Sequence, residues 1–158
     1  MIWTGVASPR FTLDTNILIY SVDSRDAGRQ GAAMELVDKA VDANCVLTLQ
    51  SLSEFYSVAT RRRIMAADRA ASLVRQWLSL FSAVAASATA IRTALDYTAA
   101  GSASYWDALL VATAEEAGCS VALTEDMADG SVLGGVQIHN PFARSGGLTE
   151  RTQTLLGL

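Results

Sequence analysis

The sequence predicts an α/β protein, a three-layer α/β/α sandwich around a central parallel sheet, and three observations lead there. Short apolar runs alternate with longer segments of helical periodicity, the runs are apolar throughout rather than at every second residue, and the chain has the length of one domain. A strand buried on both faces reads as a continuous apolar run, and a parallel sheet covered by crossover helices buries both faces. With 158 residues, 51% hydrophobic against 18% charged, the chain can bury a core without disulfides or a structural metal.

The elements follow in order. Phe11–Leu13 reads as the first strand and leads into a helix over residues 16–20. Over residues 29–43, Ala33, Leu36, Val37 and Val41 recur at helical spacing and are expected to face inward. Residues 45–49 form a buried strand. Residues 51–62 and 67–81 are consecutive helices, the second carrying Leu73, Val74, Trp77, Leu78 and Phe81 on one face, and together they predict a helical hairpin. Val84 and Ala85 mark a weak strand, residues 88–97 a helix, and residues 104–117 a strongly apolar helix stopped by Gly118. Residues 120–123 and 136–138 are the last strands. Residues 144–147 are linker-like, and the tail after them, ending in Leu155, Leu156 and Leu158, either frays or docks on a partner.

Charge and composition exclude several functions. Lys39 is the one lysine, and no G-K-[ST] occurs, so a P-loop is ruled out. A net charge of −4 is wrong for bulk electrostatic binding of nucleic acid, so any such contact is local and metal-assisted. Cys45 and Cys119 adjoin apolar runs and read as buried, reduced thiols. The start of the chain contains Ile2, Trp3 and Val6 but neither the basic start nor the apolar stretch of a secretory signal. No run approaches the roughly 18 apolar residues of a membrane helix. A soluble, cytoplasmic protein is expected.

Four acids carry the functional signal. Asp14 in L-D-T-N, Glu54 in S-L-S-E-F, Asp107 in S-Y-W-D-A and Asp126 in L-T-E-D each stand where a strand or loop hands over to a helix. Taken singly, each has an ordinary explanation. Ser51 and Ser104 precede Glu54 and Asp107 by the spacing of a capping box, Asp14 fits a helix cap, and Asp126 fits a turn. The combination points elsewhere. Asp14 and Asp126 follow strands, and open α/β sheets bind ligands beyond the carboxyl ends of their strands, where strand order reverses. Glu54 and Asp107 open helices whose N-termini reach the same edge if those helices run antiparallel to the strands. Negative charges gathered there repel unless a cation or shared protons relieve them. Hard ions such as Mg²⁺ or Mn²⁺ suit an all-carboxylate set, and the His/Cys donors that zinc prefers are missing. Hydrolysis of a phosphodiester is the leading expectation.

In order and spacing these acids, closed by Asn140-Pro141-Phe142, resemble the PIN domain over residues 11–142, and most of all the VapC-type toxins of bacterial toxin–antitoxin pairs. The resemblance implies a Rossmann-like nuclease domain of residues 1–143 with a short tail at 144–158. It implies an endoribonuclease using Mg²⁺ or Mn²⁺, usually homodimeric, held inactive by a small antitoxin that also binds DNA. Carried over by position, Asp14, Glu54, Asp107 and Asp126 are the catalytic and metal-binding acids, with Asn16 and Thr124 as polar residues behind them. Asp129, close after Asp126, is a further acid able to share or take over its role. The implied chemistry is in-line attack of a metal-activated water on an RNA phosphate, leaving a 5′-phosphate and a 3′-hydroxyl.

Other residues weigh less. A metal-free ribonuclease usually needs histidine as general acid or base, and the single His139 beside the last strand reads as structural or exposed. Arg61-Arg62-Arg63 is either a solvated helix end that complements the dipole or a phosphate grip. Tyr56 and Trp77 read as core, and Tyr105 and Trp106 as packing residues rather than base-stacking platforms. Two rival functions stay open. Asp14-Thr15-Asn16 faintly resembles the D-x-D start of haloacid-dehalogenase-type phosphatases, although Lys39 is badly placed for their lysine. The other rival is a non-catalytic dimerisation or antitoxin-binding module in which the acids only cap helices.

Overall fold

The computed structural model describes residues 8–158, so Ile2, Trp3 and Val6 of the chain start lie outside the described residues. Three short strands, β1 (Phe11–Leu13), β4 (Val121–Leu123) and β6 (Val136–His139), pair in parallel, with Phe11 opposite Val121 and Leu123 opposite His139. β2 (Val46–Thr48) and β3 (Ser82–Val84) form a second parallel pair, joined to β1 by a parallel bridge between Phe11 and Cys45. Read across, the strands run β3, β2, β1, β4, β6 and then β5 (Val132–Leu133), which is antiparallel to β6. Strand order therefore reverses between β1 and β4, and Asp14 and Thr124 each follow one of those two strands directly.

Alternate residues along each strand point to opposite faces, and the core divides accordingly. Phe11, Leu13, Leu47, Val121 and Leu123 face one layer, built from α1 (Thr15–Tyr20), α2 (Ala27–Ala40), α3 (Leu49–Arg61), α4 (Ala67–Leu80) and α7 (Glu150–Leu155). Ile17, Leu36, Phe55, Trp77 and Leu155 fill it, with the Phe55 and Trp77 rings edge to face at 4.7 Å. On the opposite face Val46, Ala122, Val136 and Ile138 meet Val111 and Ala114 of α6 (Tyr105–Glu116). α5 (Ala88–Ala99) packs on α6 through Ala90, Ala94, Ala108 and Ala112, small residues that allow close approach. These are the three layers expected from the sequence. No helix among the described residues is long and apolar enough to cross a membrane.

Several local expectations are corrected. α3 begins at Leu49 because Thr48 is its cap, accepting a hydrogen bond from the Ser51 N–H at 3.1 Å, so Leu49 is helical rather than the end of a strand. Tyr56 and Leu78, expected inside, are 41% and 45% exposed, on the outer faces of α3 and α4. α2 ends before Val41, which caps it and is only half-buried. β5 and α7 were not foreseen. β5 and β6 close as a two-residue hairpin over Gly134-Gly135, with Gly134 at a φ of 59° that glycine adopts without cost. The tail does not fray: Leu148, Thr152 and Leu155 are buried in this chain's own core. Cys45 and Cys119 are free and buried, as expected. His139 is buried too, its Nε2 lying 2.8 Å from Thr149 Oγ1 and its Nδ1 3.3 Å from Asp129 Oδ1, which makes it a strut between β6 and the cap of α7.

Candidate active site

Asp14 emerges from β1 as the cap of α1, its Oδ1 accepting the Thr15 N–H at 2.7 Å. Its Oδ2 accepts the Thr124 hydroxyl at 2.7 Å, and the same hydroxyl accepts the Asp126 N–H at 3.0 Å. Thr124 thus ties the ends of β1 and β4 together where strand order reverses. Asn16 donates from Nδ2 to Asp126 Oδ2 at 2.6 Å, fixing that carboxylate from the α1 side. Glu54 arrives from α3: its Oε2 accepts the Thr15 hydroxyl at 3.3 Å and its Oε1 accepts Gln50 Nε2 at 3.1 Å. Gln50 also donates to the Trp106 carbonyl at 3.2 Å and so links α3 to the first turn of α6. Asp107 lies in that turn, its N–H donating to the Ser104 cap at 3.4 Å.

The four acids share one electrostatic neighbourhood. Burial pushes the Asp14 carboxyl up to about 7; the Thr124 hydroxyl opposes this, while a hydrogen bond and charge repulsion from Asp126 reinforce it. Asp107 is also raised, first by burial and then, against the Ser104 hydroxyl, by the charges of Asp126 and Glu54. None of the ion pairs among the described residues includes Asp14, Glu54, Asp107 or Asp126. The cluster is therefore short of positive charge, which a hard divalent ion would supply. Among the described residues no three carboxylate, imidazole or thiol groups gather closely enough to hold a metal ion by themselves. The donors fit an ion that keeps several water or substrate oxygens, as Mg²⁺ does.

A PIN domain family profile matches residues 11–128. The chain belongs to the PIN domain family. The fold is similar to VapC20 of Mycobacterium tuberculosis, a sarcin-ricin loop cleaving toxin, at 19% identity over 71% of this chain and 86% of that one, with a TM-score of 0.58. It is similar to a toxin–antitoxin complex from Klebsiella pneumoniae at 20% identity, over 83% and 97% of the two chains, with a TM-score of 0.59. A DNA-bound VapBC from Salmonella typhimurium gives 17% identity, the same shares and a TM-score of 0.60. No curated protein matches the sequence significantly.

Within this PIN domain the remaining sequence-marked residues take distinct places. The Ser51-x-x-Glu54 capping box does not form, because the cap is Thr48, and Glu54 sits a turn further into α3 than a capping role requires. Asp129 is exposed; its Oδ1 accepts the Asn140 N–H at 2.8 Å and faces His139. Arg61, Arg62 and Arg63 stand at the C-terminal end of α3, about 10 Å along the helix from Glu54. Lys39 is exposed in the last turn of α2, shortly before β2 begins and so toward the opposite edge of the sheet. Tyr105 is half-buried against α5, whereas Trp106, expected to pack, is 60% exposed beside Asp107. Thr15 and Gln50 were missed by sequence reasoning. Thr15 carried a faint signal as the residue after a capping aspartate, but Gln50 carried none, because its two partners lie on different elements.

Proposed function

We propose that this PIN domain is a divalent-metal-dependent endoribonuclease and the toxin of a toxin–antitoxin pair. The observation that carries the reading is the meeting of Asp14, Glu54, Asp107 and Asp126 at the reversal of strand order, without a cationic partner among the described residues. Glu54 weighs most against a module whose acids only cap helices, since it caps nothing. The four carboxylates would hold Mg²⁺ or Mn²⁺, which when bound supplies neutralising charge and a water of lowered pKa. Thr124, Thr15 and Asn16 hold the carboxylate oxygens in place by the hydrogen bonds described. In this reading residues 1–143 carry the chemistry, and residues 144–158 brace the sheet through α7.

Solved toxin–antitoxin complexes with this fold support a protein partner. We assign that partner a basic side chain directed at the acids, since a carboxylate cluster with a buried member, Asp14, is costly without a counter-charge, and we assign the toxin a homodimeric state. A complex with no partner cation near Asp14 or Asp107 removes the first assignment. Light scattering that returns the mass of one chain removes the second. The central test is incubation of total cellular RNA with the purified, partner-free chain in Mg²⁺, Mn²⁺ or EDTA, beside Asp14→Asn. Cleavage is expected only with metal and is lost in the variant by at least about 100-fold, the scale on which such site groups act. Intact RNA under every condition overturns the ribonuclease reading.

A further inference from the structure

A cleft of about 400 Å³ opens beside the acidic cluster, between the N-terminal end of α2 and residues 140–147. Its walls include Arg29, Glu125, Asn140 and Arg144; Glu125 directly precedes Asp126, and the charges of both act on the Tyr20 hydroxyl, so the cleft borders the site. The two arginines are differently prepared. Arg29 directs Nε and Nη2 at Glu125 Oε2, at 3.3 and 3.1 Å, and Nη1 at Asp26 Oδ2 at 3.1 Å. Its guanidinium lies over the Tyr20 ring, 5.3 Å from the centroid, and its side chain is still 46% exposed. Arg144 is exposed, and its guanidinium makes no ion pair or hydrogen bond among the described residues.

The single charge of Arg29 is shared between the cleft's two acids, Asp26 and Glu125, which leaves Arg144 as the wall cation with no carboxylate partner among the described residues. A guanidinium held in a fixed fork keeps its remaining N–H groups aimed, an arrangement suited to phosphate oxygens. Other cations lie elsewhere: Arg10 is tied to Asn44 and the Ala117 carbonyl before β1 begins, and Arg25 to Asp23. A polynucleotide cut at the acids must continue past them, and this cleft presents guanidinium groups on that path.

We infer that the cleft seats the RNA strand on one side of the scissile phosphate, with Arg144 and Arg29 on its phosphates; this rests on the ribonuclease reading. The test is fluorescence anisotropy of a labelled single-stranded RNA on the full chain carrying Asp14→Asn, so that the strand stays whole, over a series of salt concentrations. Added Arg144→Gln and Arg29→Gln each weaken binding several-fold and make the slope of log K against log salt shallower by about 0.7, the value of one phosphate contact to a single strand. Arg92→Gln, exposed on α5, leaves both unchanged. Arg144→Gln alone suffices if Arg29→Gln lowers the melting temperature. Unchanged slopes in the cleft variants, or an equal loss with Arg92→Gln, overturn the inference while metal-dependent cleavage by the native chain leaves the ribonuclease reading standing. RNA neither bound by Asp14→Asn nor cut by the native chain overturns both.

Discussion

Asp14 illustrates how one residue can carry a cost that function explains. In the unfolded chain its carboxyl ionises near 3.8, whereas in the folded chain burial and Asp126 hold the proton up to about 7. Between those values the folded state binds a proton that the unfolded state has lost, so stability declines as pH rises. The stabilisation is complete below the lower value and gone above the upper one. For the metal-free protein the expected slope across this window is roughly 1.4 kcal/mol per pH unit. Urea denaturation at several pH values, with EDTA, measures it. Asp14→Asn cannot ionise and should flatten the slope; an unchanged slope in that variant would assign the effect to other groups. Arg63 poses a residue-scale question of another kind. α6 ends in hydrogen bonds from Gly118 N–H to the Glu115 carbonyl and from Cys119 N–H to the Ala114 carbonyl, with Gly118 at a φ of 85°. α3 ends the same way, but Arg63 holds the left-handed position at a φ of 55°, where a side chain costs about 1 kcal/mol. The helix end alone does not explain an arginine there.

Among the elements, α7 shows the largest gap between modest sequence signal and structural weight. It has six residues, capped by Thr149, whose hydroxyl accepts the Thr152 N–H at 3.2 Å. Too short to be stable alone, it holds through Leu155, 2% exposed in the main core, and through the contact of Thr149 with His139. Leu155→Ala removes buried methyl groups from that core and should cost about 2–5 kcal/mol of folding stability, read from the urea midpoint. A loss below about 0.5 kcal/mol, the range of ordinary surface changes, would mean that α7 is an ornament rather than part of the core. α3 serves the site differently, since one helix supplies Glu54 for the acidic cluster and Gln50 for the bridge to α6.

For the whole molecule, the proposed metal site would make metal affinity and fold stability one quantity. The three-layer core places four carboxylates that share one electrostatic neighbourhood on one sheet edge, and an ion held by them would favour the folded state by mass action. At about 100 times its dissociation constant, Mn²⁺ should add about 2.7 kcal/mol, or roughly 5–10 °C in melting temperature for a domain of this size. EDTA should reverse the gain, and Asp14→Asn or Asp107→Asn should blunt it. A melting temperature indifferent to Mn²⁺ would return the acids to structural duties.

The alternation of apolar runs with helical periods determined the fold class, because burial on both faces leaves its mark residue by residue. Phe11–Leu13, Val121–Leu123 and the long helices α4 and α6 were legible for that reason. The four acids were legible as candidates by order and spacing, and Asn16 and Thr124 only through the family resemblance that those acids carry. β5 and α7 were not, since two and six residues carry too little period to outweigh turn signals. The outward turn of Tyr56 and Leu78 was also hidden, because periodicity locates an apolar stripe but not its edge. Only the tertiary structure decided that Thr124 bridges Asp14 and Asp126, that Gln50 joins α3 to α6, and that Arg29 pairs with Glu125 beside the site. Those contacts join residues far apart in the chain, and their geometry exists only once the sheet has brought the ends of β1 and β4 side by side.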